Sequence, residues 1–236
     1  MSKQKALENL SERALVLMAD DTDTAGAGFD REGIVRVWQQ AHDLKPDGWP
    51  GSRTLAALWS KHKPMAKDVV EAARIALGWA PVTYSMKRNT GMGESWLPDP
   101  RVGYETGDCS DFVCDCLGIP KDQTHGLVTM NAAKVWLGAD AIASGHIGEP
   151  RPLMAARPGD LIVFSGRWER GERVAIGHVE VCVEVCRDRI VTIGCASSNG
   201  RRRSRYDQPG SAIAAADKTD RWRRKGAVAV RPWWYV

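Results

Sequence analysis

Between Cys109 and Leu117 the apolar side chains fall at Cys109, Phe112, Val113, Cys116 and Leu117, the recurrence of a helix with one buried stripe. Gly118, Ile119 and Pro120 mark its end. Further on, Val179, Val181, Val183 and Val185 follow Gly177 and His178 in strict alternation, which predicts a strand. Cys182 and Cys186, two pleat periods apart on it, are expected on one face. Arg157, Pro158, Gly159 and Asp160 predict a turn that feeds a buried strand ending at Phe164, and Ala227 to Val236 reads as a last strand completing the sheet. Nearer the start, Ile34, Val37, Trp38 and Ala41 make one helical face, and the dense turn Lys45 to Gly51 precedes a second amphipathic helix opening at Thr54 to Trp59. Residues 3–19 are expected to supply a helix before these, broken by the polar, glycine-rich run Asp20 to Gly28.

Length changes this picture by dividing it. A chain of 236 residues fits one or two domains, and 43% apolar with 26% charged residues is an ordinary globular balance. No apolar run approaches the ~18 residues that cross a bilayer, and the first residues, with Glu8 and Glu12, make a poor secretory signal. Synthesis in the cytoplasm is therefore expected. Charge is uneven: residues 201–236 hold ten Lys or Arg against three Asp, a net of +7, which leaves −3 of the overall +4 for residues 1–200. A basic end of this kind suits an anionic envelope, with nucleic acid as the weaker competitor because no reading motif accompanies it.

The six cysteines lack paired Cys-x-x-Cys units, so neither a metal nor a disulfide framework is expected, and no cofactor. Most of the ten tryptophans are read as packing residues, with Trp49, Trp96 and Trp168 as candidates for stacking on sugar rings.

Candidate chemistry gathers at two points. Cys109 falls in the first turn of its helix, where unpaired backbone N–H groups favour thiolate, and a nearby imidazole lowers a thiol further, from ~8.5 toward roughly 3.5–7.5 in activated cases. His178, opening a strand after a glycine, is placed to face a cleft. Thiol on a helix followed by imidazole on a sheet is the arrangement in which histidine takes or shares the thiol proton.

On these residues the chain resembles the papain-like cell-wall cysteine peptidases of the NlpC type and their CHAP relatives. Gly107-Asp108-Cys109-Ser110-Asp111-Phe112-Val113, then Arg157 to Phe164, then Gly177-His178-Val179-Glu180-Val181 match three ordered family elements over about residues 66–200. Val69 to Gly78, with Pro81 and Tyr84, is similar to the family's first helix and the segment before its catalytic helix. The resemblance implies an α+β fold, the Cys109 helix packed on an antiparallel sheet carrying His178, with Tyr84, Asp108, Ser110 and Asp111 around the substrate. Asp111 departs from the family's glycine. For the third group that orients the imidazole, Asn199 and Ser197 are candidates, and a dyad assisted by a backbone carbonyl or water stays open.

A second resemblance covers the start. Ile34 to Leu58 is similar to a small three-helix peptidoglycan-binding domain, with Trp38 and Gln39, then Asp47, Gly48 and Gly51, then Thr54, Ala57 and Leu58 at its signature positions. It implies wall binding by Trp38, Asp47, Trp49 and Arg53, and a division into residues 1–63 and 64–236. Together the two resemblances imply a peptidoglycan hydrolase, expected to be a monomeric endopeptidase of a phage-type lysis system that reaches the host wall without a signal peptide. The alternatives are an amidase of the CHAP type and an inactive wall- or nucleic-acid-binding module.

Overall fold

The computed structural model describes residues 3–77, 83–84, 106–107, 109–118, 150–164, 167–169, 172–175, 178–196 and 213–232. Five helices lead the chain: α1 (Lys3–Asn9), α2 (Glu12–Asp21), α3 (Arg31–Ala41), α4 (Ser52–His62) and α5 (Ala66–Leu77). The single helix expected over residues 3–19 is two. Ser11 breaks it, its hydroxyl capping α2 by accepting from Ala14 N at 3.2 Å while its own N–H donates to Glu71 at 2.5 Å. On α3 the buried stripe is Val35, Trp38 and Gln39 instead of Ile34, Val37, Trp38 and Ala41. The reason is Gln39, whose amide is consumed inside: Nε2 donates to Trp49 O and Thr54 Oγ1, both at 2.9 Å, and Oε1 accepts from Gly48 N at 2.8 Å. A polar residue thus rotates the helix face toward the turn it stitches.

Short strands β1 (Thr83–Tyr84) and β2 (Thr106–Gly107) pair in parallel just ahead of α6 (Cys109–Leu117). Among the described residues the main sheet has six strands, all antiparallel: β3 (Pro150–Pro152), β4 (Leu161–Phe164), β7 (His178–Cys186), β8 (Arg189–Cys195), β9 (Ile213–Asp217) and β10 (Val228–Val230), in spatial order β3-β10-β4-β7-β8-β9. A separate hairpin is formed by β5 (Arg167–Glu169) and β6 (Glu172–Ala175). The last strand, β10, does not finish an edge; it lies between β3 and β4.

Each face of the sheet has its own cover. Val179, Val181 and Val183 of β7 with Ile193 and Cys195 of β8 pack on α5 and α6. Cys182, Ile162, Phe164 and Ile190 pack on the other side with Trp222 of α7 (Thr219–Arg224) and Leu153. Alternation along β7 is broken once, by a bulge between Cys182 and Glu184, where one extra residue flips the facing of those beyond it. Val185 consequently joins Cys182 instead of Val183, and Cys186 is only partly buried while Cys182 is 0% exposed. The expected single face for the two cysteines therefore does not form.

The first of these cores continues without a gap into the leading helices. Leu7, Leu15, Trp38, Leu58 and Trp59 share it with Phe112, Cys116 and Leu117 of α6. At the end of α6, Gly118 takes φ +64°, and a Cβ there would lie 2.5 Å from Trp59 C and 2.6 Å from its Cβ. Only glycine meets both the left-handed turn and this approach of α4. Among the described residues no helix is long and apolar enough to cross a membrane.

Candidate active site

α6 is held by what its stripe buries. Phe112, Val113, Cys116 and Leu117 are at most 1% exposed, worth roughly 1.5–3 kcal/mol for each large apolar side chain. This fixes Cys109, 7% exposed, at the first residue of the helix. His178 is the first residue of β7, hydrogen-bonded in register opposite Phe164 of β4, and 8% exposed. Cys109 stands close enough to the imidazole that its charge and polar contact act on the ring.

The other side of the imidazole is occupied by a carboxylate for which the sequence pattern implies no role. His178 Nε2 lies 2.9 Å from Oε1 of Glu180, two residues on and hence on the same strand face. That leaves Nδ1 to the thiol. Glu180 is 0% exposed, and its carboxylate collects two further donors: Thr192 Oγ1 on Oε2 at 2.5 Å and Lys218 Nζ on Oε1 at 2.5 Å. Trp222 stacks beside His178 with ring centroids 5.9 Å apart and planes at 15°, and Phe164 adds a tilted contact at 6.0 Å. Gly194 of β8 stands behind Glu180; a Cβ there would lie 2.7 Å from Glu180 Cδ and still nearer to Cγ. The carboxylate therefore has room only because β8 carries glycine at that point.

Electrostatics follow from this packing. Burial alone would lower the imidazole, but the charge and hydrogen bond of Cys109, and then Glu180, outweigh it and raise His178 to about 9. Burial would likewise raise Glu180, yet the Lys218 ammonium, followed by His178, holds its carboxyl well below the usual range. The result is a buried line of donors and acceptors, from the imidazole through the Glu180 carboxylate to the Lys218 ammonium, with Cys109 beside the ring. Cys182, next on the same face, is inert by contrast: burial, reinforced by Asp160, pushes its thiol up to about 12.

Asp160 of the Pro158-Gly159-Asp160 turn has a structural task. Arg231 forks onto it, Nε to Oδ1 at 2.7 Å and Nη2 to Oδ2 at 3.0 Å, while its backbone carbonyl accepts from Cys182 N at 2.8 Å. This ties the turn to β7 and to the chain after β10.

Of the other residues singled out, Ser110 and Asp111 follow Cys109 in the first turn of α6, and Tyr84 ends β1 beside β2. Asp108, Ser197 and Asn199 lie outside the described residues, as do Trp96, His125 and His146. In the leading helices Trp38 is 0% exposed, its Nε1 donating to Asp21 at 3.0 Å and its ring stacked on His42 at 3.9 Å. A tryptophan so enclosed packs the core and offers no face to a sugar. Asp47 Oδ1 accepts from Trp49 N at 2.7 Å and organises the turn, Trp49 is half-buried, and Arg53 stands in the first turn of α4.

Compared with known families, residues 99–199 match the model of the CHAP domain. The match spans Cys109, Asp160, His178 and Glu180 and stops before Lys218 and Trp222. It supports a CHAP-like cell-wall peptidase or amidase domain and suggests hydrolysis of peptidoglycan. Comparison with the curated proteins and with the solved structures returned no match.

Proposed function

We propose that the protein cleaves an amide bond in the peptide part of bacterial peptidoglycan by a cysteine mechanism, as an endopeptidase acting in phage-type lysis. The observation that carries this reading is His178 set between Cys109, which acts on the ring, and the Glu180 carboxylate 2.9 Å from its Nε2. In the first step the Cys109 sulfur attacks the carbonyl carbon of the substrate amide, and its backbone N–H at the head of α6 donates to the oxygen that gains charge. His178 then gives its proton to the departing amine. A water molecule, losing a proton to the same imidazole, opens the acyl-enzyme and restores the thiol. Throughout, Glu180 keeps the ring turned with one nitrogen toward sulfur and stabilises its charged form, the part played by the third member of such triads. In this proposal Glu180 takes the orienting role for which the sequence offered Asn199.

The leading helices would serve as the wall-holding element, with Trp49 in the turn between α3 and α4 and Arg53 in the first turn of α4 as the contacts. Tethering of this kind raises local substrate concentration even when the module binds weakly. The basic chain end would favour the same anionic envelope.

Mass spectrometry of fragments released from purified sacculi tests the proposal, run with the wild-type protein and with Cys109→Ala. New amino termini within stem or bridge peptides, reduced at least about a thousandfold in the variant, are expected. Peptide-free lactyl-sugar strands would replace the endopeptidase by an amidase, a reading that the CHAP match also favours. Failure to release anything from any wall type would overturn hydrolysis and leave a binding module.

A further inference from the structure

We propose that Lys218 is a positioning residue of this site, an ammonium that keeps Glu180 a carboxylate beneath the imidazole and so sets the pH range in which Cys109 reacts. The inference rests on the Cys109–His178 reading but not on the identity of the substrate. Lys218 lies outside the residues matched by the CHAP domain, just after β9 and at the head of α7.

Its placement argues for a purpose. Lysine is almost never fully buried unless paired, and removing a charge from water is costly. Here the residue is 6% exposed and its Nζ meets the same carboxylate oxygen, Oε1, that accepts from His178. Glu180 is therefore held by donors from three separate segments: His178 on β7, Thr192 on β8 and Lys218 after β9. Imidazolium and ammonium can only donate. Among the described residues both partners of Oε1 are donors, so the cage favours the ionised form, and a proton on Glu180 would have to sit on Oε2 with the Thr192 hydroxyl turned to accept it.

The segment is also anchored. Thr219 Oγ1 accepts from Ile190 N at 2.7 Å and donates to Asp217 Oδ1 at 2.7 Å, which pins the head of α7 to β8. Three residues later Trp222, 0% exposed, stacks on His178. One short stretch thus delivers both the cation behind Glu180 and the ring beside the imidazole. Among the described residues, the titratable groups that face this assembly are His178 and Cys182 on β7, Cys109 from α6, and Lys218 itself; β8 contributes Thr192 and Gly194, and β4 contributes Phe164.

Without the ammonium, Oε1 loses a donor and a single buried anion remains. The Thr192 hydroxyl can turn to accept, so proton uptake by Glu180 becomes possible as pH falls. A neutral acid no longer favours imidazolium. The charged Cys109–His178 pair should then collapse at a higher pH than in the wild type.

The test is the rate of iodoacetamide alkylation at Cys109, read by mass spectrometry of its own peptide over about pH 4 to 9, in full-length wild type, Lys218→Met, Glu180→Gln and the double variant. Lys218→Met is expected to move the acid limb up by about one pH unit, a tenfold slower reaction on that limb. In the Glu180→Gln background the same substitution is expected to leave the limb where it is, because Lys218 acts only through the carboxylate. Superimposed profiles for wild type and Lys218→Met, or a shift that persists in the Glu180→Gln background, would overturn the inference. Should Lys218→Met not fold, Lys218→Gln, which keeps a donor and removes the charge, takes its place with the same expectation. Sacculus hydrolysis measured on the same samples separates the two proposals. A wild type that releases nothing sinks the hydrolase reading, while the alkylation limb still decides the role of Lys218.

Discussion

The two faces of β7 solve opposite problems within one strand. Toward α5 and α6, Val179, Val181 and Val183 continue an apolar core whose contacts need no direction and tolerate exchange of shape within limits. Toward α7, His178 and Glu180 are buried with charge, and the Glu180 carboxylate depends on named donors: His178, Thr192 and Lys218. The first face supports the helix that carries Cys109. The second holds the imidazole of His178. A strand can do both only because its side chains alternate, and only at its end, where His178 reaches around the sheet to the head of α6. The apolar face supplies stability and the charged face supplies a protonation state.

This contrast can be broken from either side. The largest effect is expected from removing residues 1–63. The apolar core does not stop at that boundary, since Leu58 and Trp59 pack with Cys116 and Leu117, and Gly118 sits tightly against Trp59. The truncated protein should lose cooperative thermal unfolding and with it all turnover, even of soluble muropeptides. Intact turnover with weakened wall binding would instead make the leading helices a dispensable module. On the charged face Glu180→Gln keeps the shape and removes the anion. Sacculus hydrolysis should fall by about a hundredfold or more, as when the carboxylate of a triad is neutralised, with a lower melting temperature because Lys218 stays buried beside a neutral amide. A loss below about threefold would return the orienting role to Asn199 or to a simple dyad.

The smallest effect is on the pH dependence of stability. His178 is raised in the folded protein, from 6.5 to about 9, so the folded state holds its proton more tightly than the unfolded chain. The stabilisation is fully present below pH 6.5 and disappears as pH rises through about 9. Melting temperature should decline across that window in wild type and less steeply in His178→Ala.

What was legible in the sequence divides along the same line as the two faces. The stripe of α6, the turn before β4 and the glycine–histidine start of β7 are local patterns, and local patterns are what single out Cys109 and His178. Glu180 was in plain view within the same motif but gave no signal, because a polar residue alternating with valines ordinarily marks the wet face of an antiparallel sheet. That face is dry here because α7 covers it, and the residue that makes burial tolerable, Lys218, comes 38 positions later. No periodicity links them. The bulge after Cys182 was equally hidden, since one inserted residue leaves the apolar composition unchanged while reversing which way Val185 points. Trp38 matched the wall-binding signature, yet that position is enclosed by Asp21 and His42, so a signature residue can mark the fold of a module instead of its binding surface. The break at Ser11 is legible locally, as a serine followed by Glu12 ahead of the apolar run from Ala14 is a common cap.

The central claim is that one imidazole is held between the Cys109 thiol and the Glu180 carboxylate, and the ring nitrogens report on it directly. Nitrogen NMR titration of His178 in the full-length protein should show a midpoint near pH 9, moving down toward the ordinary histidine value in Cys109→Ala. A midpoint near 6.5, the ordinary value, in both wild type and variant would mean that neither neighbour holds the proton, and would contradict the account.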